Sequence, residues 1–132
     1  MRVLNAVTFA LTLLLLIVQA ALAVRGIIDP AAGATSFGLP ADGKTAEFYH
    51  AVYRDRNLVL SVIGLVLLFF GMWRALAVIF VVSITLPLYD IISLKLAGVP
   101  VLPVHYITLA VLVVLAGLII TRGRQAGPSR RL

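Results

Sequence analysis

The 132 residues are 62% apolar with a mean hydropathy of +1.12, far above the roughly 45–50% apolar share of soluble domains, and only 12% are charged. The charges stand between apolar runs rather than within them, a distribution that excludes an ordinary soluble core and suits bilayer-spanning helices. Much of the formal +6 charge is crowded at Arg122, Arg124, Arg130 and Arg131, where it reads as a topology signal in contact with lipid headgroups. No aromatic-interleaved basic surface speaks for nucleic acid, and the lack of cysteine excludes disulfides, thiolate metal sites and cysteine nucleophiles.

The first apolar run covers 3–24. Arg2, the run 11–18 and Ala21-Leu22-Ala23 imitate a secretory signal with its cleavage site. At about 22 residues the run is longer than a signal core and long enough to span about 30 Å of hydrocarbon, so it is expected to be retained as a transmembrane helix. Its polar residues Asn5, Thr8, Thr12 and Gln19 are spaced by threes, fours and sevens, which keeps them on one face turned toward other helices.

A loop is expected next, because Asp29-Pro30, Gly33, Gly38 and Leu39-Pro40 are turn formers. A helix resumes near Thr45, which can serve as its N-cap with Glu47 in the first turn. Phe48, Tyr49 and Tyr53 then form an aromatic belt ahead of a span over 55–73. His50, Tyr53, Arg54, Asn57, Ser61, Gly64 and Gly71 share one face of this helix. Its upper part carries chemistry, and its small residues suit close helix packing.

The third span, 75–96, contains Pro87, which should kink it, and Asp90. Gly98, Pro100 and Pro103 form a connector, and the last span covers 104–120, opening on His105. Residues from Thr121 onward are expected to be solvated. The architecture is therefore all-α, an integral membrane four-helix bundle over 1–121, with a basic cytoplasmic tail over 122–132. Counting Lys and Arg by side gives six on the face that holds Arg2, Arg74 and the tail arginines, against five on the other. Both termini are assigned to the cytoplasmic side of the cell membrane.

This topology directs Tyr53, Arg54, Asn57, Asp90 and His105 to one membrane surface. Asp90 precedes Lys95 by five residues, about 7.5 Å of helix rise, and so lies just inside the hydrocarbon boundary. An ionised carboxylate there costs about 2.5–3.5 kcal/mol unless it is paired, protonated or facing water. Arg54, Arg56 and His105 are its candidate partners. An Arg–carboxylate pair flanked by Tyr and His could bind an anionic or carbonyl group or move a proton. Arg54, Asp90, His105 and Tyr53 are thus the candidate catalytic residues, and Asn57 and Ser61 the candidate substrate-binding ones. The plainer alternative is an interhelical lock: Asp90 and Arg54 fix helix register, His105 and the tyrosines are interfacial, and Gly64, Gly71 and Ser61 are a packing seam.

No metal-ligand spacing, phosphate loop, nucleophile elbow or haem-attachment motif is present, and no cofactor is expected. The combination of Phe37-Gly38-Leu39-Pro40, Tyr53-Arg54-Asp55-Arg56-Asn57, Leu86-Pro87-Leu88-Tyr89-Asp90 and His105 resembles a family of small four-helix membrane proteins of unknown function from bacteria and fungi, loosely DoxX-like in layout. The resemblance covers about residues 4–122 and implies the four-helix fold and a retained first helix, but no reaction. Two functions follow. One is binding or acid/base conversion of a lipophilic molecule, by isomerisation, cyclisation or epoxide opening. The other is a structural or accessory subunit, a second copy or a partner membrane protein docking on the small-residue seam. Ion transport fits less well, because the ionisable residues sit at one end only. The bilayer is a partner in every case, and nucleic acid in none.

Overall fold

The structure, a computed structural model, describes residues 2–40 and 42–125. Arg130 and Arg131 of the expected tail lie outside the described residues. Six helices follow one another: α1 (Arg2–Ile28), α2 (Pro30–Phe37), α3 (Lys44–Phe69), α4 (Trp73–Ser83), α5 (Thr85–Leu96) and α6 (Pro103–Gln125). Among the described residues there is no strand. Three stretches are long and apolar enough to cross a membrane: Val3–Ile28, Trp73–Leu96 and Pro103–Arg124. The chain thus has the segments of a multi-pass membrane protein. α3 is as long as these, but Arg54, Asp55 and Arg56 stand near its middle, just ahead of its apolar half.

Several boundaries depart from the sequence-based expectation, each for a local reason. The Asp29-Pro30 pair does end α1, yet the stretch behind it is a helix rather than a loop. Asp29 Oδ1 accepts the Ala32 backbone N–H at 3.0 Å and Pro30 occupies the first turn, so the same two residues that stop one helix start the next. Gly38, at φ 102° in the left-handed region, closes α2 as its C-cap. Gly43, not Thr45, caps α3, and Glu47 is in the first turn as expected. Gly71 is not part of the packing seam but a turn residue at φ 65°, and Trp73 opens α4 instead of closing the second span.

The third long rod breaks between α4 and α5 at Ile84. The cause lies three residues on: Pro87 has no N–H for the carbonyl four residues back, that of Ser83, and its ring crowds that carbonyl. α6 runs five residues past the expected end of the last span. Arg122 and Arg124 therefore belong to its last turn.

α1 packs most extensively along α3, and α4 along α6, while α1–α6 and α3–α4 contacts join the two pairs. The stripe on α1 faces inward, with Thr8 and Thr12 fully buried. Gly64 of α3 is where the α1 helix comes closest, since a Cβ there would stand 2.6 Å from a Leu16 methyl. Leu16, Leu68, Trp73, Leu76, Phe80, Leu115, Ala116 and Ile119 form the continuous apolar core. Outward faces are apolar as well: Leu14 is 59% exposed, Val62 49% and Val114 61%, a girdle that water would not tolerate and lipid tails would. α2 lies against α1 and α3 at the end of the bundle away from Trp73.

Candidate functional site

Between the two helix pairs, where α3 and α5 are not in close contact, lies a part-enclosed cavity of about 270 Å3. All six helices contribute to its wall. Its upper end, under α2, is lined by Ser36, Phe37, Tyr53, Arg54, Asp90 and His105; further down come Asn57, Gln19, Ser61, Ser83 and Thr108, and then leucines with Ile79 and Phe80. All six residues singled out from the sequence, Tyr53, Arg54, Asn57, Ser61, Asp90 and His105, line this one cavity.

His105 is built in most firmly. It sits in the first turn of α6, which Pro103 opens, and is only 5% exposed. Its Nε2–H donates to the Phe37 carbonyl at 2.9 Å, and its Nδ1 stands 3.7 Å from Asp90 Oδ2, inside ion-pair range but longer than a direct hydrogen bond. A carbonyl only accepts, so Nε2 must carry a hydrogen. Nδ1 is therefore the ring atom turned toward Asp90, and the contact is an ion pair in the form in which the imidazole carries a second proton. Asp90 is 19% exposed, so its free edge is open to the cavity.

The expected Arg54–Asp90 pair does not form. Arg54 and Asp90 do reach the same end of the cavity, but rotation about α3 turns the guanidinium to the α1–α2 junction. Arg54 Nε–H donates to His50 Nε2 at 3.1 Å, and Nη2 reaches the Gly33 carbonyl at 3.4 Å. Among the described residues His105 is the one ionic partner of Asp90. Arg56, the third candidate partner, is exposed, as is Asp55.

Two glycines make the Arg54 position possible. A Cβ at Gly26 would lie 2.7 Å from Arg54 Cγ, and one at Gly33 would lie 2.8 Å from His50 Nε2 and 3.0 Å from the Gly26 backbone. His50, receiving the Arg54 N–H, must present a lone pair and so is neutral. Burial first, and then the neighbouring guanidinium charge, hold it below its ordinary 6.5.

Phe37 organises the upper end of the site and was not singled out by its chemistry. Its ring meets His105 edge-on at 4.7 Å and 90°, and Tyr53 and His50 at 5.8 and 6.5 Å, while its carbonyl fixes the His105 tautomer. Arg54 also lies 5.7 Å from the Tyr53 ring. The signal that could have found Phe37 is the Asp-Pro start and Gly stop around it, which marks a short helix rather than a loop. His50 was visible in the α3 stripe but lacked any apparent partner. Gly26 and Gly33 lie on different helices, α1 and α2, so no period along one helix joins them.

Residues 17–119 match the family model of a domain of unknown function, DUF4267, so the match takes in every residue of the cavity wall described above except Leu15 and Leu16. The chain belongs to the DUF4267 family. No curated protein and no solved structure matches it. In this DUF4267 member the function must accordingly be argued from the cavity itself. Among the described residues no cluster of His, Asp and Glu could hold a metal ion.

Proposed function

We propose that the chain is a small four-helix membrane protein whose interhelical cavity takes a lipophilic molecule from the bilayer, and that the His105–Asp90 pair exchanges a proton with it. α3 with the turn that follows it is the fourth crossing, over about residues 55–73, and α4 with α5 form one kinked crossing. An even number of crossings keeps both termini on one side, the cytoplasmic one by the count of basic residues. The bacterial and fungal, DoxX-like resemblance agrees with this four-crossing layout.

One observation carries the reading. An acid and an imidazole 3.7 Å apart face a largely apolar cavity, with Arg54 and Tyr53 beside them and Asn57 and Ser61 below. A residue pair needed only to lock helices would close on itself, whereas this one stands at the mouth of a void of ligand size. With a ligand oxygen near Asp90, a proton passes from the pair to that oxygen and another returns from the ligand carbon skeleton. The pair ends as it began, as isomerisation, cyclisation or epoxide opening requires. Gly64 supports the same reading from the negative side: it packs on Leu16 of its own chain, which removes it from any seam for docking a partner subunit.

Asp90→Asn tests the proposal. The amide keeps the volume and removes the exchangeable proton, so conversion should drop at least a hundredfold while helicity and the unfolding midpoint in detergent hold. A well-folded Asp90→Asn protein that binds and converts a lipophilic ligand as the parent does would sink it.

A further inference from the structure

Three features of the cavity say more about what it accepts. The first is charge. Of the groups lining the upper end, Arg54 is the fixed cation, and the one carboxylate there, Asp90, has His105 and not Arg54 as its ionic partner. His50, against which Arg54 rests, is neutral and offsets nothing.

The second is unspent donors. A guanidinium has five N–H groups. One goes to His50 and one, at a long 3.4 Å, to Gly33. Three remain without an acceptor among the described residues, on a side chain that lines the cavity. A partly buried guanidinium with a free fork, paired with no carboxylate among the described residues, is a receptor for a planar anion, which it can grip through two parallel hydrogen bonds.

The third is shape. From Arg54 to Ser61 on α3, and from His105 to Leu112 on α6, the cavity wall descends by seven residues, about 10 Å of helix rise. Over that length it changes from charged, through hydroxyl and amide, to Leu15, Leu112 and Phe80. A charged head and an apolar continuation belong to one amphiphile.

We infer that the ligand is a single-chain amphiphile with a carboxylate head, the head gripped by Arg54 beside the His105–Asp90 pair and the chain lying down the leucine-lined part of the cavity. This rests on the cavity being a ligand site, as proposed above, and adds the chemical class. The Gly26 position matters to it, because only a residue without Cβ lets the Arg54 stem lie where it does.

The test uses the full chain in lipid nanodiscs, with direct binding of radiolabelled dodecanoate and 1-dodecanol, unlabelled dodecylamine as competitor, and empty nanodiscs to subtract partitioning. Dodecanoate should bind at least about tenfold more tightly than the alcohol, the scale of two charge-assisted hydrogen bonds, with the amine weakest. Arg54→Gln should bring the acid-to-alcohol ratio to near one, and Arg54→Lys should keep part of it, since the charge stays and the fork is lost. Should Arg54→Gln fail to fold, Gly26→Ala displaces the same side chain with its charge intact, and the ratio should fall there too. Equal binding of acid and alcohol by the parent, preference for the amine, or an undiminished ratio in the folded variant would overturn the inference while leaving the cavity a ligand site. Binding of none of the three would instead remove the ligand site and the function proposed for it.

Discussion

Each end of the bundle holds an arginine against an aromatic ring, and the two arginines are used in opposite ways. At the far end, the Arg122 guanidinium lies 3.6 Å over the Trp73 ring and donates to the Asn5 carbonyl, tying α6, α4 and α1 together. Phe9 meets the same Trp73 edge-on, and the apolar core begins directly beneath. At the α2 end, Arg54 leans on a neutral histidine and a distant carbonyl, over a void rather than a core. The first arrangement rests on a filled core, and Arg122 is not among the residues that line the cavity. The second sets its unused donors and the His105–Asp90 pair against empty space, and that difference is the physical distinction between a lock and a site.

The sharpest way to break the comparison is to remove Trp73. It is 8% exposed, anchors the core and carries the Arg122 stack. Trp→Ala in a core costs about 3–5 kcal/mol, and the lower figure applies in detergent, where the unfolded helices still keep apolar surroundings and only packing and the cation–π contact are lost. Trp73→Ala should therefore lower the unfolding free energy by about 3 kcal/mol without changing the acid-to-alcohol ratio of whatever folds. If selectivity collapsed with stability, the two ends would be one cooperative unit and the contrast drawn between them would be wrong.

The lock was harder to read in the sequence than the site. Hydropathy and the 3.6-residue period are local signals, so the apolar stretches and the inward stripes of α1 and α3 were legible, from Thr8 and Thr12 to Arg54 and Ser61. Depth in the membrane follows from counting along helices, which is why Asp90 and His105 could be brought to the same level. Rotation about a helix axis is decided by packing partners, so Asp90 could not be matched to His105 rather than to Arg54. Arg122 shows the same limit: composition assigns it to a solvated tail, whereas it lies in the last turn of α6 in contact with Trp73 and the Asn5 carbonyl. α2 is a third kind of miss. Eight residues are too few for a periodic pattern, and its glycines and proline looked like loop formers although Asp29, Pro30 and Gly38 are start and stop signals at the right spacing.

A smaller effect is expected at Gly33, on the site side. Its Cβ would press on His50 and on the Gly26 backbone, and the backbone cannot yield as a flexible side-chain end can. Gly33→Ala should cost about 1–3 kcal/mol, as overpacking does. Unlike Trp73→Ala it should also lower the acid-to-alcohol ratio, because His50 moves and Arg54 moves with it. A loss of stability with selectivity retained would mean that the His50 contact does not position Arg54.

The smallest effect, and the one most particular to the α2 end, is a pH dependence carried by His50. Burial and then the Arg54 charge hold its imidazole below the ordinary 6.5, so the unfolded chain takes up the proton before the folded one does. Wherever the unfolded state binds more protons, stability rises with pH; this contribution is thus present above about 6.5 and is lost progressively as the pH falls from there through the lower pKa of the folded chain. The quantity to measure is the difference between the parent and His50→Gln in unfolding midpoint from pH 8 to pH 5, which cancels every group the two chains share. The midpoint of the parent should fall relative to that of the variant on the acid side, because protonating His50 removes the lone pair that receives the Arg54 N–H and sets two cations side by side. Parallel profiles would mean that Arg54 does not depend on a neutral His50, and the arginine at the site would then be held by Gly33 and its own packing alone. The matching substitution at the other end, Arg122→Gln, should lower the midpoint by the same amount at every pH, since neither Trp73 nor the Asn5 carbonyl titrates in that range.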